Sequence, residues 1–197
     1  MVAAGKDGNL SVSKLHWRSM ISEKTDKVVV LGLLGKGADG KVLLVANKMG
    51  QVSVMKIIKT AEGDNEDYAE DYAEKEANIW NAVYIEYCVE YKWAIRSEKW
   101  MGLPAVIMPV LSQFATKSER LDNLDGVKDC LVLFHEKGYR HDDVYWRNIG
   151  YFKPNGKIIV VMLDLHPGHV FVHNDSSKSW IETALKNLER RANTIHE

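Results

Sequence analysis

Residues whose side chains could do chemistry crowd nine positions: Arg140-His141-Asp142-Asp143-Val144-Tyr145-Trp146-Arg147-Asn148. Asp143 and Asn148 are separated by four residues. A carboxylate at the first position can accept or orient the proton of a substrate hydroxyl. An amide five residues later can fold back and offer a neutral oxygen to a divalent cation. Taken alone, Asp142 and Asp143 read equally well as a turn or a helix cap. A second carboxylate, Asp164, closes the apolar run Val160-Val161-Met162-Leu163 and is followed by Leu165-His166-Pro167-Gly168. A strand-end aspartate there can hold a metal, although such residues are also common turn formers.

Three further features lie upstream. Gly35-Lys36-Gly37-Ala38-Asp39-Gly40-Lys41-Val42 reads GxGxxGxV. In a dinucleotide fingerprint such glycines open a helix, whereas here they lead into the β-branched run KVLLVANK. A strand–loop–strand favours a flap whose backbone N–H groups lie over phosphates, with a plain hairpin turn as the alternative. Lys56 sits inside Val54-Met55-Lys56-Ile57-Ile58, where an ammonium is costly to bury without a partner. It reads either as a phosphate contact or as an edge-strand lysine that snorkels. Glu76, in Glu74-Lys75-Glu76-Ala77-Asn78-Ile79-Trp80, is the chosen carboxylate partner for Lys56, because Ile79 and Trp80 turn its helix inward. Glu70 and Glu74 are its rivals.

The elements that must position these groups follow from periodicity. Residues 27–59 read as three strands, KVVVLGLL, KVLLVANK and QVSVMKIIK, with Lys48-Met49-Gly50-Gln51 as the second turn. Residues 60–66 read as a loop. Residues 67–83 read as a helix with Tyr68, Tyr72 and Ile79 near one face. GLPAVIMPVL at 102–111 reads as a buried strand. Residues 119–137 read as one helix with Leu121, Leu124, Leu131, Leu133 and Phe134 inside and Gly138 ending it. KIIVVML at 157–163 is a strand entered through the turn Lys153-Pro154-Asn155-Gly156, and residues 178–193 form an amphipathic helix. This order predicts an α+β protein.

The 197 residues are 46% hydrophobic and 27% charged, with a formal net charge of −1, the composition of an ordinary soluble globular chain. That balance provides no electrostatic footprint for nucleic acid or an anionic membrane, and no apolar run is long enough to span a bilayer. The opening MVAAGKDGNLSVSK lacks the apolar core of a signal peptide. Cys88 and Cys130 read as reduced, buried thiols. Of the seven histidines, His166, His169 and His173 fall near the candidate metal residues, but their spacing defines no zinc site. Of the six tryptophans, Trp17, Trp93, Trp100 and Trp180 read as core packing or as cover for a surface.

In this order the glycine flap, lysine strand, glutamate helix, D-x-x-x-x-N loop and strand-end aspartate resemble the protein-kinase-like superfamily over about residues 27–170. The resemblance implies a bilobal α+β fold: an N-terminal extension over 1–26, an antiparallel β N-lobe with one C-helix over 27–111, and a truncated, mainly helical C-lobe over 112–197. It implies ATP and Mg²⁺ as cofactors. Gly35, Gly37 and Gly40 would cover the phosphates, Lys56 would contact them, and Glu76 would hold Lys56. Met108, Pro109 and Leu111 would lie near the purine, with Leu34, Val42 and Ile107 as apolar lining or support. Asn148 and Asp164 would hold the metal, and Asp143 would be the catalytic base.

The pattern also departs from that superfamily. His141-Asp142-Asp143 lacks the usual arginine before the catalytic aspartate, and Tyr145 stands at a usual lysine position, where Arg147 is the candidate substitute. Asp-Phe-Gly is replaced by Asp164-Leu165-His166, and no Ala-Pro-Glu motif follows. RHDDVYWRNIGYF and the proline of the hinge strand resemble most the kinase-like C-terminal domains of Crinkler-type effectors of oomycetes and fungi. That narrower resemblance implies a cytoplasmic or nuclear location, with delivery into a host cell, and a protein substrate or host protein partner. Three functions follow: a protein Ser/Thr kinase or autokinase, a nucleotide-binding pseudokinase that acts by docking, or a small-molecule kinase. The last helix is a candidate homodimer contact or a packing element of the C-lobe.

Overall fold

A computed structural model of the chain describes residues 28–37, 40–47, 49–59, 66–90, 96–173 and 177–192. The N-terminal extension with Trp17 and Met20, Ala38 and Asp39 of the glycine loop, Lys48, most of the loop after residue 59, Trp93 and the Cys88 side chain lie outside the described residues. The chain is mixed α and β and divides into two compact units, with the break between Val110 and Leu111.

The first unit is built on a five-stranded antiparallel sheet. Its strands are β1 (Val29–Lys36), β2 (Gly40–Ala46), β3 (Val52–Ile58), β4 (Arg96–Trp100) and β5 (Leu103–Met108), in the order β1-β2-β3-β5-β4. The β2–β3 turn is fixed by Asn47, whose Oδ1 accepts from the N–H groups of Met49 and Gln51 at 2.9 and 3.0 Å. Alternation along the strands sorts the side chains between two faces. One face carries the buried cluster Leu43, Val45, Met55, Ala105 and Ile107. Ile107 therefore supports the face of the sheet opposite Lys56 and is not lining beside it, since it stands opposite Met55 in the ladder. Strand β4 was not legible in the sequence: its run RSEKW is polar, as an edge strand permits. Met101 and Gly102, both at positive φ, join it to β5 as a tight hairpin.

Helix α1 (Glu66–Val83) packs on β5, β4 and β3. Its inward stripe is Ala69, Tyr72, Ala73, Glu76, Ala77, Trp80 and Val83. Tyr68, expected on that stripe, is 60% exposed, because four-residue steps drift round a 3.6-residue helix. A short helix α2 (Ile85–Glu90) follows.

In the second unit the single helix expected over 119–137 is two helices, α3 (Lys117–Asp122) and α4 (Leu124–Glu136). Thr116 and Glu119 form a capping box that starts α3. Asn123 breaks the run, with its amide donating to the Glu119 carbonyl at 2.7 Å. The break resets the helical phase, so the buried face is Val127, Cys130, Leu131 and Phe134, while Leu121, Leu124 and Leu133 are only half-buried. Cys130 is buried, as its apolar surroundings in the sequence lead one to expect. Gly138, at φ 79°, follows the helix end.

Two short ladders complete the unit. Strand β6 (Tyr139–His141) pairs with β9 (Val170–Val172), and β7 (Ile149–Phe152) pairs with β8 (Ile159–Met162). The 153–156 turn closes the second hairpin, with Asn155 and Gly156 both at positive φ. Helix α5 (Ser179–Arg191) packs on α4 and buries Ile181 and Leu188. Trp80 and Trp146 are core residues, whereas Trp100 and Trp180 are half-buried. Among the described residues no helix is long and apolar enough to cross a membrane.

Candidate functional site

In the first unit, register creates one row across the sheet. Gly35 stands opposite Val42, Val42 opposite Lys56, and Lys56 opposite Val106. Opposed residues share a face, so Gly35, Val42 and Lys56 point to one side, and Met108, opposite Val54, joins them there. Leu111 belongs to the second unit, where it is buried.

Lys56 is buried, and its Nζ donates to both carboxylate oxygens of Glu76 at 2.9 and 3.1 Å. Glu76 itself is fully buried on α1. The packing of α1 on the sheet decides among the sequence rivals: Glu74 is exposed, and Glu70 forms an ion pair with Lys99 on β4.

The glycines of the β1–β2 loop differ. Gly40 has φ 153°, and a Cβ built on it would lie 1.9 Å from the Ile57 carbonyl oxygen, so the hairpin itself requires glycine there. A Cβ on Gly37 would meet nothing within 4 Å. The Gly37 N–H donates to the Gly40 carbonyl at 2.9 Å.

In the second unit the two short ladders bring Asp143, Asn148 and Asp164 together. Ile149 opposes Met162 in the β7–β8 hairpin, and one step further the Leu163 N–H donates to the Asn148 carbonyl at 2.7 Å. The hairpin thus closes the gap between Asn148 and Asp164. Asp164 itself has φ 57°, a conformation that aspartate adopts more readily than most residues.

The Asp143 carboxylate accepts from Asn148 Nδ2 at 2.7 Å and from Arg147 Nη2 at 3.0 and 3.2 Å. Both atoms that Asn148 Nδ2 reaches, Asp143 Oδ2 and the Asp143 carbonyl, can only accept. The amide nitrogen is thereby identified, and the amide oxygen remains as a ligand atom. Asn148 and Asp164 together offer an all-oxygen donor set, which suits magnesium. Arg147 also lies over the Tyr145 ring at 4.2 Å, as does Arg191 of α5 at 4.4 Å.

Beneath this loop His141 is almost completely buried. Its Nδ1 accepts the Asp143 N–H at 3.1 Å, which leaves Nε2 to donate to the Leu163 carbonyl at 3.2 Å. The ring is therefore neutral and ties the Asp143 loop to the Asp164 strand. Burial pushes its pKa below the ordinary imidazole value, against the opposing pull of the Leu163 carbonyl and of Asp164 and Asp143. Outside anchors hold the loop as well: Trp146 Nε1 donates to the Leu188 carbonyl of α5, and Gln113 Nε2 to the Arg147 carbonyl.

One site residue was not assigned from the sequence. Ligand atoms of Asp143, Asp164 and His169 lie within 4.8 Å of one another. The signal was present as three histidines after Asp164, but their spacing could not choose among them. The β6–β9 pairing chooses, since it sets His169 beside Asp142, whose N–H donates to the His169 carbonyl at 2.9 Å.

No curated protein matches the chain. A sequence model for a family of unknown function, DUF5898, matches residues 33–152, a span that includes Lys56, Glu76, Asp143 and Asn148 and ends before Asp164. Because that match covers more than half of the sequence, the chain belongs to the DUF5898 family.

Proposed function

We propose that the chain is an ATP- and magnesium-dependent phosphotransferase of protein-kinase-like, bilobal design that phosphorylates a protein hydroxyl. The observation that carries this reading is the buried Lys56–Glu76 ion pair on the glycine-hairpin face of the sheet. A buried ion pair is a poor way to gain stability, because desolvation costs about as much as the attraction returns. It is a good way to hold an ammonium at a fixed point, which is what recognition of a phosphate requires. Gly37 supports the same reading: it meets no obstacle that would forbid a side chain, and a bare backbone permits close approach of a polyphosphate.

In this reading Gly35, Gly37 and Gly40 cover the phosphates, Lys56 contacts them, and Val42 and Met108 provide apolar contact to the base. Asn148 and Asp164 would hold magnesium, which supplies neutralising charge to the phosphates when bound. Asp143 orients the acceptor hydroxyl. As the acceptor oxygen bonds to the γ-phosphorus, the bond from that phosphorus to the β-phosphate oxygen breaks, the hydroxyl proton passes to Asp143, and ADP leaves. Arg147 holds the carboxylate of Asp143 in place and contributes the positive charge that the Tyr145 position lacks.

The test has two arms. Mg-ATP at 100 times its Kd should stabilise the fold by about 2.7 kcal/mol. Radiolabelled γ-phosphate should pass to the protein or to an added acceptor protein, and Asp143→Ala should abolish the transfer while keeping ATP protection. Protection without transfer in the wild type would make the chain a nucleotide-binding docking module. Absence of both would end the reading.

A further inference from the structure

We infer that Asp143, Asp164 and His169 form a binding site for a transition-metal dication of the manganese type, with His169 supplying a nitrogen ligand. The site shares two carboxylates with the phosphotransfer reading but does not depend on it, because all three residues belong to one compact unit and no nucleotide is needed to bring them together.

Three observations converge on it. First, one oxygen from each carboxylate and one imidazole nitrogen lie within 4.8 Å of one another. Ligands on opposite sides of one ion with bonds of about 2.1–2.2 Å stand about 4.3 Å apart, so a small side-chain adjustment closes the set. Second, the neighbouring histidines are committed elsewhere. His141 uses both ring nitrogens within the loop, and His166 Nδ1 accepts the Gly168 N–H at 2.6 Å. Among the described residues neither ring nitrogen of His169 has a hydrogen-bond partner, although the ring is half-buried between His141 and His166. Third, the backbone of His169 is pinned on both sides: its N–H donates to the His166 carbonyl at 2.8 Å, and its carbonyl accepts from Asp142. The turn before it leaves no room at Gly168, where a Cβ would come within 2.7 Å of the His166 ring. The backbone at His169 is thus fixed before any metal arrives, which leaves only its side-chain torsions to order on binding.

The donor set identifies the class of ion. Carboxylates alone suit magnesium, calcium and manganese equally, whereas imidazole favours transition metals. A mixed set of two carboxylates and one imidazole selects a transition dication over magnesium. Asp143 retains lone pairs for this role, since a carboxylate accepts at about four positions and Arg147 and Asn148 use three contacts.

The experiment titrates nucleotide-free protein with MnCl2, following the free Mn²⁺ signal by electron paramagnetic resonance, and then competes with MgCl2. Wild type should bind one Mn²⁺ per chain and prefer it to Mg²⁺ by about tenfold or more. His169→Ala should weaken Mn²⁺ binding by at least about tenfold. Electron spin-echo modulation of Mn²⁺ bound to the wild type should show a directly coordinated nitrogen, a readout that requires no variant and so stands even if His169→Ala fails to fold. Absence of stoichiometric binding, bound Mn²⁺ without a nitrogen ligand, or equal competition by Mg²⁺ would each overturn the inference. None of these outcomes involves ATP, so they are distinct from a failure of Mg-ATP to protect the fold.

Discussion

Glu76 is the residue at which the reasoning is most exposed to measurement. Its carboxylate is fully buried and takes two hydrogen bonds from the Lys56 ammonium, at 2.9 and 3.1 Å. Removing one partner of a buried pair leaves the other charge in a poor environment, at a cost of about 3–5 kcal/mol. Glu76→Ala should lose that much, and Glu76→Gln, which keeps the volume and one acceptor, about 1.5–3 kcal/mol. The assay is urea unfolding followed by tryptophan fluorescence. Trp80, buried one helical turn from Glu76, provides a local reporter. With a slope of about 2 kcal/mol/M, the midpoint for Glu76→Ala should fall by about 1.5–2.5 M. Lys56→Met should cost a similar amount. The double variant Lys56→Met/Glu76→Leu should lose far less than the sum, with a coupling of about 2 kcal/mol or more. If Glu76→Gln lies within about 0.5 kcal/mol of wild type, or if the single costs simply add, the pair is not the energetic unit described here, and the main support for the phosphate-binding reading goes with it.

The glycine loop separates fold from function. Gly40→Ala should destabilise by about 2 kcal/mol or more in the same assay, because its Cβ would collide with the Ile57 carbonyl. Gly37→Ala should stay within about 0.5 kcal/mol of wild-type stability while weakening protection by Mg-ATP. His141 predicts a pH dependence, best measured with EDTA present. Its pKa is lower in the folded state, so the unfolded chain binds the extra proton as pH falls through the ordinary imidazole value of 6.5. Its contribution is fully present above that value and is lost as pH falls toward the folded pKa. The slope of unfolding free energy between about pH 7 and pH 5 should be shallower in His141→Gln than in wild type, and equal slopes would remove His141 as the cause.

Much of the architecture was legible because it rests on short-range periodicity. The β-branched runs of β1 to β3, the 18-residue α1, the apolar β5 and the amphipathic α5 declare themselves over windows of five or more residues. What escaped was held by long-range pairing or by single residues. Strand β4 is polar because it is an edge. Strands β6 and β9 are three residues each and exist only through each other. The sequence over 119–137 reads as one continuous helix because one asparagine carries little weight against a long apolar period, yet the Asn123 side chain caps the Glu119 carbonyl and splits the run.

The candidate site divides in the same way. Residue type and spacing determined its chemical inventory: a lysine within a strand, an aspartate and an asparagine five apart, a strand-end aspartate, and glycines before a β-branched run. Those properties are written along the chain, so they can be read along it. Tertiary structure alone decided which groups meet. Packing of α1 on the sheet chose Glu76 over Glu70 and Glu74, the β7–β8 ladder set Asp164 beside Asn148, and the β6–β9 ladder carried His169 to both aspartates. Hydrogen bonding and metal ligation act over about 2–3 Å, and which residues come that close depends on the register between strands far apart in sequence.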